Sequence, residues 1–218
     1  VCDGMGGHAA GEVASSIAVE TIAKTAPQSA DAARLAAAVE AANAAVIEAA
    51  LNGLGKPGMG CTATCAYIEN DTLAIAHVGD SRAYLLHEGT LIRVTRDHSY
   101  VEELVDAGEI TADEARVHPN RSVITRALGS DPAMYADHFT LHIEEGDRLI
   151  LCSDGLSSMI PDSDIENIAT QSSTAQICVD NLVDAALAAG GHDNVTVVVV
   201  DLVDDGVMRE AQRVRRRN

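Results

Sequence analysis

The stretch TATCAYIENDTLAIAHVGDSRAYLLHEGTLIRV, residues 62–94, decides the fold. Within it, Thr62 to Ile68, Thr72 to Val78, Arg82 to His87 and Leu91 to Val94 are short apolar or alternating runs. They are broken by Glu69-Asn-Asp71, Gly79-Asp80-Ser81 and Glu88-Gly89-Thr90. Runs of that length between turn formers predict strands, and breaks this short predict consecutive antiparallel hairpins forming a meander.

Outward from this β region the period changes. Upstream, Val13, Ile17, Ala18, Thr21 and Ile22 fall at helical spacing over Glu12 to Lys24, and Asp31 is placed to cap a second, Ala-rich helix running toward Leu51. Downstream, Asp97 to Ser130 is irregular, with a short helix near Tyr100 to Ala107 and a His118-Pro119-Asn120 turn, which predicts a surface flap. Strand signals return at Ala136 to His142, Arg148 to Ser153 and Val195 to Val203, with helices over Ser163 to Ala169 and Thr174 to Ala189. Helices flanking a mostly antiparallel β region at both ends predict two packed sheets covered by helices on each outer face.

The chain has 218 residues, 47% of them hydrophobic, enough for a single core. Aromatic residues are only 2%, so Val, Leu, Ile and Ala must build that core, and stacking platforms for single-stranded nucleic acid are lacking. A formal net charge of −18 opposes a polyphosphate backbone, so no nucleic-acid partner is expected. Five cysteines without a C-x-x-C pair point to a reducing compartment, with Cys61 and Cys65 as small buried residues. No apolar run is long enough to span a bilayer, so the domain itself is not expected to insert into a membrane.

Three acidic turn motifs stand beside strongly apolar strands: Asp3-Gly4-Met5-Gly6-Gly7-His8, Cys152-Ser153-Asp154-Gly155-Leu156 and Gly191-His192-Asp193-Asn194. Any one of them alone is ordinary turn chemistry. Together they offer carboxylates and glycine-flanked carbonyls, the ligand set of hard cations such as magnesium and manganese. Competing motifs fail: Gly4-x-Gly6 lacks a dinucleotide fingerprint's third glycine, no Walker Lys follows it, and there is no G-x-S-x-G elbow or H-E-x-x-H. His87, His98, His118 and His142 are scattered and read as surface or packing residues.

In order along the chain stand DGMGGH at Asp3, GMGCT at Gly58, GDSR at Gly79, DHS at Asp97, the run Arg121 to Arg126, SDGL at Ser153 and DNVTV at Asp193. This series resembles the bacterial type 2C metal-dependent Ser/Thr protein phosphatases, from Val1 to about Val203. The resemblance implies an α+β fold, a four-layer αββα sandwich, with a dinuclear Mn2+ or Mg2+ centre. It makes Asp3 the bridging ligand and Gly4 a carbonyl donor, with Asp154 and Asp193 completing the coordination. Asn194 supports that catalytic set. Asp80, with Ser122 as a companion, is implied for a third, weaker metal site.

The implied reaction is hydrolysis of phosphoserine or phosphothreonine in proteins by a bridging water, opposing bacterial Ser/Thr kinases. Phosphoproteins and those kinases are the expected partners, in the cytoplasm. Met5 stands where some eukaryotic relatives carry a histidine, as is usual in the bacterial branch. The chain runs from Val1 straight into Asp3, so the family's N-terminal strand pair is expected to be missing, with its phosphate-contacting Arg and its Asn-Glu-Asp segment. The alternative this leaves is a phosphatase-like binding module. The catalytic domain is expected over residues 1–203, with a flap over about 97–130 and a basic linker over 204–218. That linker, ending in Arg213 to Arg217, could precede a membrane anchor.

Overall fold

A computed structural model describes residues 1–203, the side chains of His8 and Ala9 excepted. The basic segment 204–218 lies outside the described residues. In chain order the elements are β1 (Gly4–Met5), α1 (His8–Thr25), α2 (Ala32–Leu51), β2 (Gly60–Cys61), β3 (Ala63–Glu69), β4 (Thr72–Val78), β5 (Arg82–His87) and β6 (Thr90–Arg93). They continue with α3 (Tyr100–Asp106), α4 (Ala112–Val117), β7 (Asp137–His142), β8 (Arg148–Cys152), α5 (Asp154–Ser157), α6 (Asp162–Gln171), α7 (Ala175–Ala188) and β9 (Val197–Asp201).

Two antiparallel sheets, ordered β3-β4-β7 and β6-β5-β8-β9, form the centre. Alternation along each strand sorts its side chains between two cores. In β4, Leu73 and Ile75 face the second sheet, where they meet Ala83, Leu85, Leu149 and Leu151. Their neighbours Ala74, Ala76 and Val78 turn outward to α1 and α2, meeting Ala14, Ala18, Leu35, Val39 and Val46. On the far side Tyr84, Leu86, Ile150 and Cys152 pack against Ile165, Leu182 and Ala186 of α6 and α7. The order helix, sheet, sheet, helix is the expected four-layer αββα sandwich.

Helix α2 starts where the sequence predicts, the Asp31 carboxylate accepting the Arg34 amide proton at 3.0 Å. α1 begins at His8 rather than Glu12. Two short helices escaped the sequence reading. One is α4, whose start carries a full capping box between Thr111 and Glu114. The other is α5, a single turn directly after β8.

The expected meander is corrected. β3 and β4 form one hairpin and β5 and β6 another, but β4 and β5 do not pair. β4 is taken on its other side by β7, and β5 by β8. Gly79-Asp80-Ser81 therefore carries the chain from one sheet to the other, with Gly79 at φ 107. A break short enough for a hairpin can equally be a crossing when the strands on both sides are already bounded and buried. The edge of β3 is met by the first residues: the Thr62 amide donates to the Asp3 carbonyl and the Thr64 amide to the Val1 carbonyl, both at 2.8 Å.

Candidate metal centre

The three acidic motifs come together at one end of the sheets. Asp3 precedes β1, Asp154 opens α5 at the end of β8, and Asp193 precedes β9, the strand paired with β8. Ser153 fastens the last two together. Its hydroxyl donates to the Asn194 carbonyl at 3.2 Å and accepts the Thr196 amide proton at 3.0 Å, and its own amide donates to the Thr196 carbonyl. Gly155 makes this approach possible, because a Cβ there would lie 2.2 Å from the Asn194 carbonyl oxygen.

Asp3 and Asp154 are half-buried and mutually perturbing. Burial first, then the Asp154 carboxylate close enough to share its proton, pushes the Asp3 carboxyl up to about 7, with Asp193 adding to the rise. Asp154 is raised as well, chiefly by burial and then by the charge of Asp193. Its Oδ1 is buried and has no hydrogen-bond partner. A buried carboxylate oxygen without a donor is costly unless a cation meets it. Among the described residues no three His, Cys, Asp or Glu side chains enclose a metal position by themselves. The arrangement is thus a tight Asp3–Asp154 pair, with Asp193, exposed, acting on both through its charge. Gly4 lies next to the pair in β1, and its backbone hydrogen-bonds the Asp3 carboxyl. The Asn194 amide donates to Asp193 Oδ1 at 2.7 Å, and its side chain is exposed.

Asp80, Ser122, Asp154 and Asp193 all line one cavity of about 600 Å³. Asp80 is 8% exposed, and its carboxyl is pushed up to about 7 by burial and then by the charges of Asp154 and Asp97. Ser122, exposed, lines the same cavity from the segment containing α3 and α4. Residues of that segment, of α5 and of the start of α6 all line the cavity, so the 97–130 region contributes a wall of the acidic site.

A buried ion-pair network ties that wall to the sheet. Arg82 donates to Asp97 through three hydrogen bonds of 2.8 to 3.1 Å, and to the Tyr84 hydroxyl at 3.0 Å. Tyr84 in turn donates to Asp162 at 2.9 Å, at the start of α6. Arg93 bridges Asp97 and Glu102 of α3. Both Arg82 and Asp97 stand in quoted motifs, GDSR and DHS, yet sequence reasoning gave them no role. The available signal was an arginine opening an otherwise apolar strand, which requires an acid from elsewhere in the chain.

Behind the acids lies a second polar layer. Thr62 Oγ1 accepts the Asp3 amide proton at 2.9 Å and lies 2.8 Å from Ser81 Oγ. Thr64, two residues on and inside β3, reaches the Ser81 carbonyl at 2.9 Å and His77 Nδ1 at 3.0 Å. The Arg96 carbonyl, 3.0 Å from His77 Nε2, can only accept, so Nε2 carries the proton. Burial holds His77 down to about 4, hence neutral, and its Nδ1 therefore accepts from Thr64, whose single proton is shared with the Ser81 carbonyl. His98 also proves to be internal: it accepts the Gly79 amide proton at 3.1 Å and reaches Asp137 with its other nitrogen.

The five cysteines are all free. Among the described residues no helix is long and apolar enough to cross a membrane.

The family model for Protein phosphatase 2C matches residues 1–195. The serine/threonine protein phosphatase PstP of Mycobacterium tuberculosis is 43% identical over 210 residues, 94% of this chain and 40% of that protein. The chain thus spans well under half the length of that relative. The serine/threonine phosphatase stp of Listeria welshimeri is 37% identical over 208 residues, covering 92% of this chain and 82% of that one. Among solved structures, the M. tuberculosis phosphatase PstP/Ppp superposes with a TM-score of 0.87 at 41% identity, over 93% of this chain and 87% of that one. The catalytic domain of PstP in complex with two manganese ions superposes at 0.84 with 40% identity, over 93% and 86% of the two chains. With a matching family model over nearly its whole length and relatives of this identity, the chain belongs to the protein phosphatase 2C family.

Proposed function

We propose that this chain hydrolyses phosphoserine and phosphothreonine monoesters in proteins, with two divalent cations, Mn2+ or Mg2+, at the Asp3–Asp154 pair. Asp3, Gly4, Asp154 and Asp193 would hold them, with Asn194 supporting Asp193 through its backbone amide. Asp80, and Ser122 in the same cavity, would serve a third. The observation that carries the reading is the buried, partnerless Oδ1 of Asp154 beside a carboxyl raised to about 7. Carboxylates crowded in this way disfavour their own ionisation until a cation joins them. The complex of a 40% identical relative with two manganese ions supports a two-cation centre.

When bound, such ions supply an activated water and positive charge for the phosphoryl oxygens. The chain's own side chains account for the rest. Asp80, Asp154 and Asp193 give one wall of the cavity a negative charge that alone would repel a phosphate, so occupancy by cations sets substrate binding. Arg116 and Arg121, on the 97–130 wall, line the same cavity as those acids, the space a phosphorylated side chain would enter. The Arg82–Asp97 network fixes that wall to the sheet. The expected clients are phosphoproteins, the products of Ser/Thr kinases, and the expected location is the cytoplasm, in keeping with five free thiols.

The test is phosphate release from phosphothreonine and phosphoserine peptides, with Mn2+ and in parallel with a chelator. Release that requires Mn2+ is the expected result. Undiminished release in chelator, or none from either peptide with Mn2+ present, contradicts the proposal.

A further inference from the structure

We infer that Thr62 and Ser81 are positioning residues of the metal centre, a buried hydroxyl pair that sets Asp80 in fixed relation to Asp3. The role rests on Asp3 and Asp80 acting as metal ligands, as proposed above. Asp3 and Asp80 come from different parts of the chain, Asp3 just before β1 and Asp80 within the crossing from β4 to β5. Their neighbours meet at a single point. Thr62 Oγ1 receives the Asp3 amide proton at 2.9 Å and contacts Ser81 Oγ, the residue after Asp80, at 2.8 Å.

Three further features converge on that contact. Thr62 and Ser81 are 1% and 0% exposed, so neither hydroxyl has water as a substitute partner. Thr64 holds the Ser81 carbonyl, so Ser81 is gripped at its hydroxyl by Thr62, just before β3, and at its backbone by Thr64 in β3. And the turn before Asp80 is pressed onto Thr62 itself: a Cβ on Gly79 would lie 2.6 Å from Thr62 Cγ2. Only glycine, at φ 107, allows this approach. Thr62 thus uses its methyl against the turn, its hydroxyl to accept from the Asp3 amide and to pair with the Ser81 hydroxyl, and its β-branch to stay in one rotamer. A valine would keep the shape and lose the link.

Mn2+ affinity and stoichiometry are measured by titration calorimetry on the full chain for the parent, Thr62→Val, Thr62→Ser and Ser81→Ala. In parallel, urea unfolding is followed in chelator. Thr62→Val is expected to weaken Mn2+ binding about 10- to 100-fold, the range for residues that orient ligands. Thr62→Ser, which keeps the hydroxyl, should recover most of that loss, and Ser81→Ala should give a smaller one because Thr64 still holds its carbonyl. A merely structural role would lower the urea midpoint in chelator and leave the affinity of the folded protein unchanged, which overturns the inference. So does a Thr62→Ser variant as weak as Thr62→Val. If Thr62→Val does not fold, Ser81→Ala decides: affinity equal to the parent's overturns the inference. A parent that takes up no Mn2+ sinks the metal-centre reading, and the positioning role with it. A parent that binds while Thr62→Val matches it sinks the positioning role alone.

Discussion

Arg82 and Asp97 meet through three hydrogen bonds of 2.8 to 3.1 Å, and the pair joins the first residue of β5 to the base of the segment that walls the acidic cavity. The side chains are 18% and 8% exposed, so the charges are held largely away from water. Removing one member of a buried pair typically costs about 3–5 kcal/mol, and Asp162 beside Arg82 and Arg93 beside Asp97 put this one at the lower end of that range. Asp97→Ala should lower stability by that order, measured by urea unfolding. Arg82→Met combined with Asp97→Leu should recover much of the loss. A double variant less stable than the single one contradicts the ion-pair account.

Gly155 and Asn194 make a second contact that can be tested. Gly155→Ala puts a Cβ where the Asn194 carbonyl stands, 2.2 Å away, so the 191–195 loop must retreat and take Asp193 with it. The expected outcome is weaker Mn2+ binding, by about 10-fold or more if Asp193 is a ligand. Helical content should be unchanged, since Gly155 lies in a single helical turn. Affinity equal to the parent's would remove Asp193 from the proposed ligand set.

His77 gives the fold a pH dependence with a definite sign. Unfolded, its imidazole takes up a proton near 6.5; folded, burial holds that back to about 4. Between those values the unfolded chain binds more protons, so this contribution to stability is present above about 6.5 and lost as pH falls toward 4, by about 1.4 kcal/mol per unit. Asp3 and Asp80, raised to about 7, work in the opposite sense over the range from 7 down to 4 in metal-free protein. The parent's profile is therefore a partial cancellation, and a difference isolates the histidine. His77→Asn should be less stable than the parent at pH 7.5, with the gap narrowing at pH 5 in chelator. A gap that stays constant across that range contradicts the neutral, buried assignment.

The sandwich was legible in the sequence because helical periods flank a series of short strands at both ends of the chain. Leu73 and Ile75 against Ala74 and Ala76 already mark two faces, and Asp31 marks the start of α2. The sheet crossing at Gly79-Asp80-Ser81 was not legible, because a three-residue break has the same composition whether it turns a hairpin or changes sheets. Only the long-range partners, β7 beside β4 and β8 beside β5, distinguish the two. The acidic motifs were visible as Asp beside apolar strands. The hydroxyls of Thr62 and Ser81 were not, since Thr and Ser in a β region read as ordinary strand and turn residues until their partners are known. α4 was missed although Thr111 and Glu114 carry its capping signal, outweighed by the irregular pattern around it.

Metal removal should expose the strain among the carboxylates. In chelator at pH 7.5, where the Asp3–Asp154 pair is driven toward double ionisation, Asp154→Asn relieves repulsion and should unfold at a higher urea concentration than the parent. With Mn2+ added the order should reverse, the parent gaining stability and the variant gaining little. A variant that Mn2+ stabilises as much as it does the parent contradicts a role for Asp154 as a ligand.

The most direct measurement follows from that reversal: phosphate release from a phosphothreonine peptide, parent and Asp154→Asn side by side, over a Mn2+ titration. The account predicts that the parent's rate rises with Mn2+ and saturates, while the folded variant falls by about 100-fold or more, as expected when charge stabilisation in the transition state is lost. A variant that turns over at the parent's rate would place the chemistry elsewhere and contradict the Asp3–Asp154 centre.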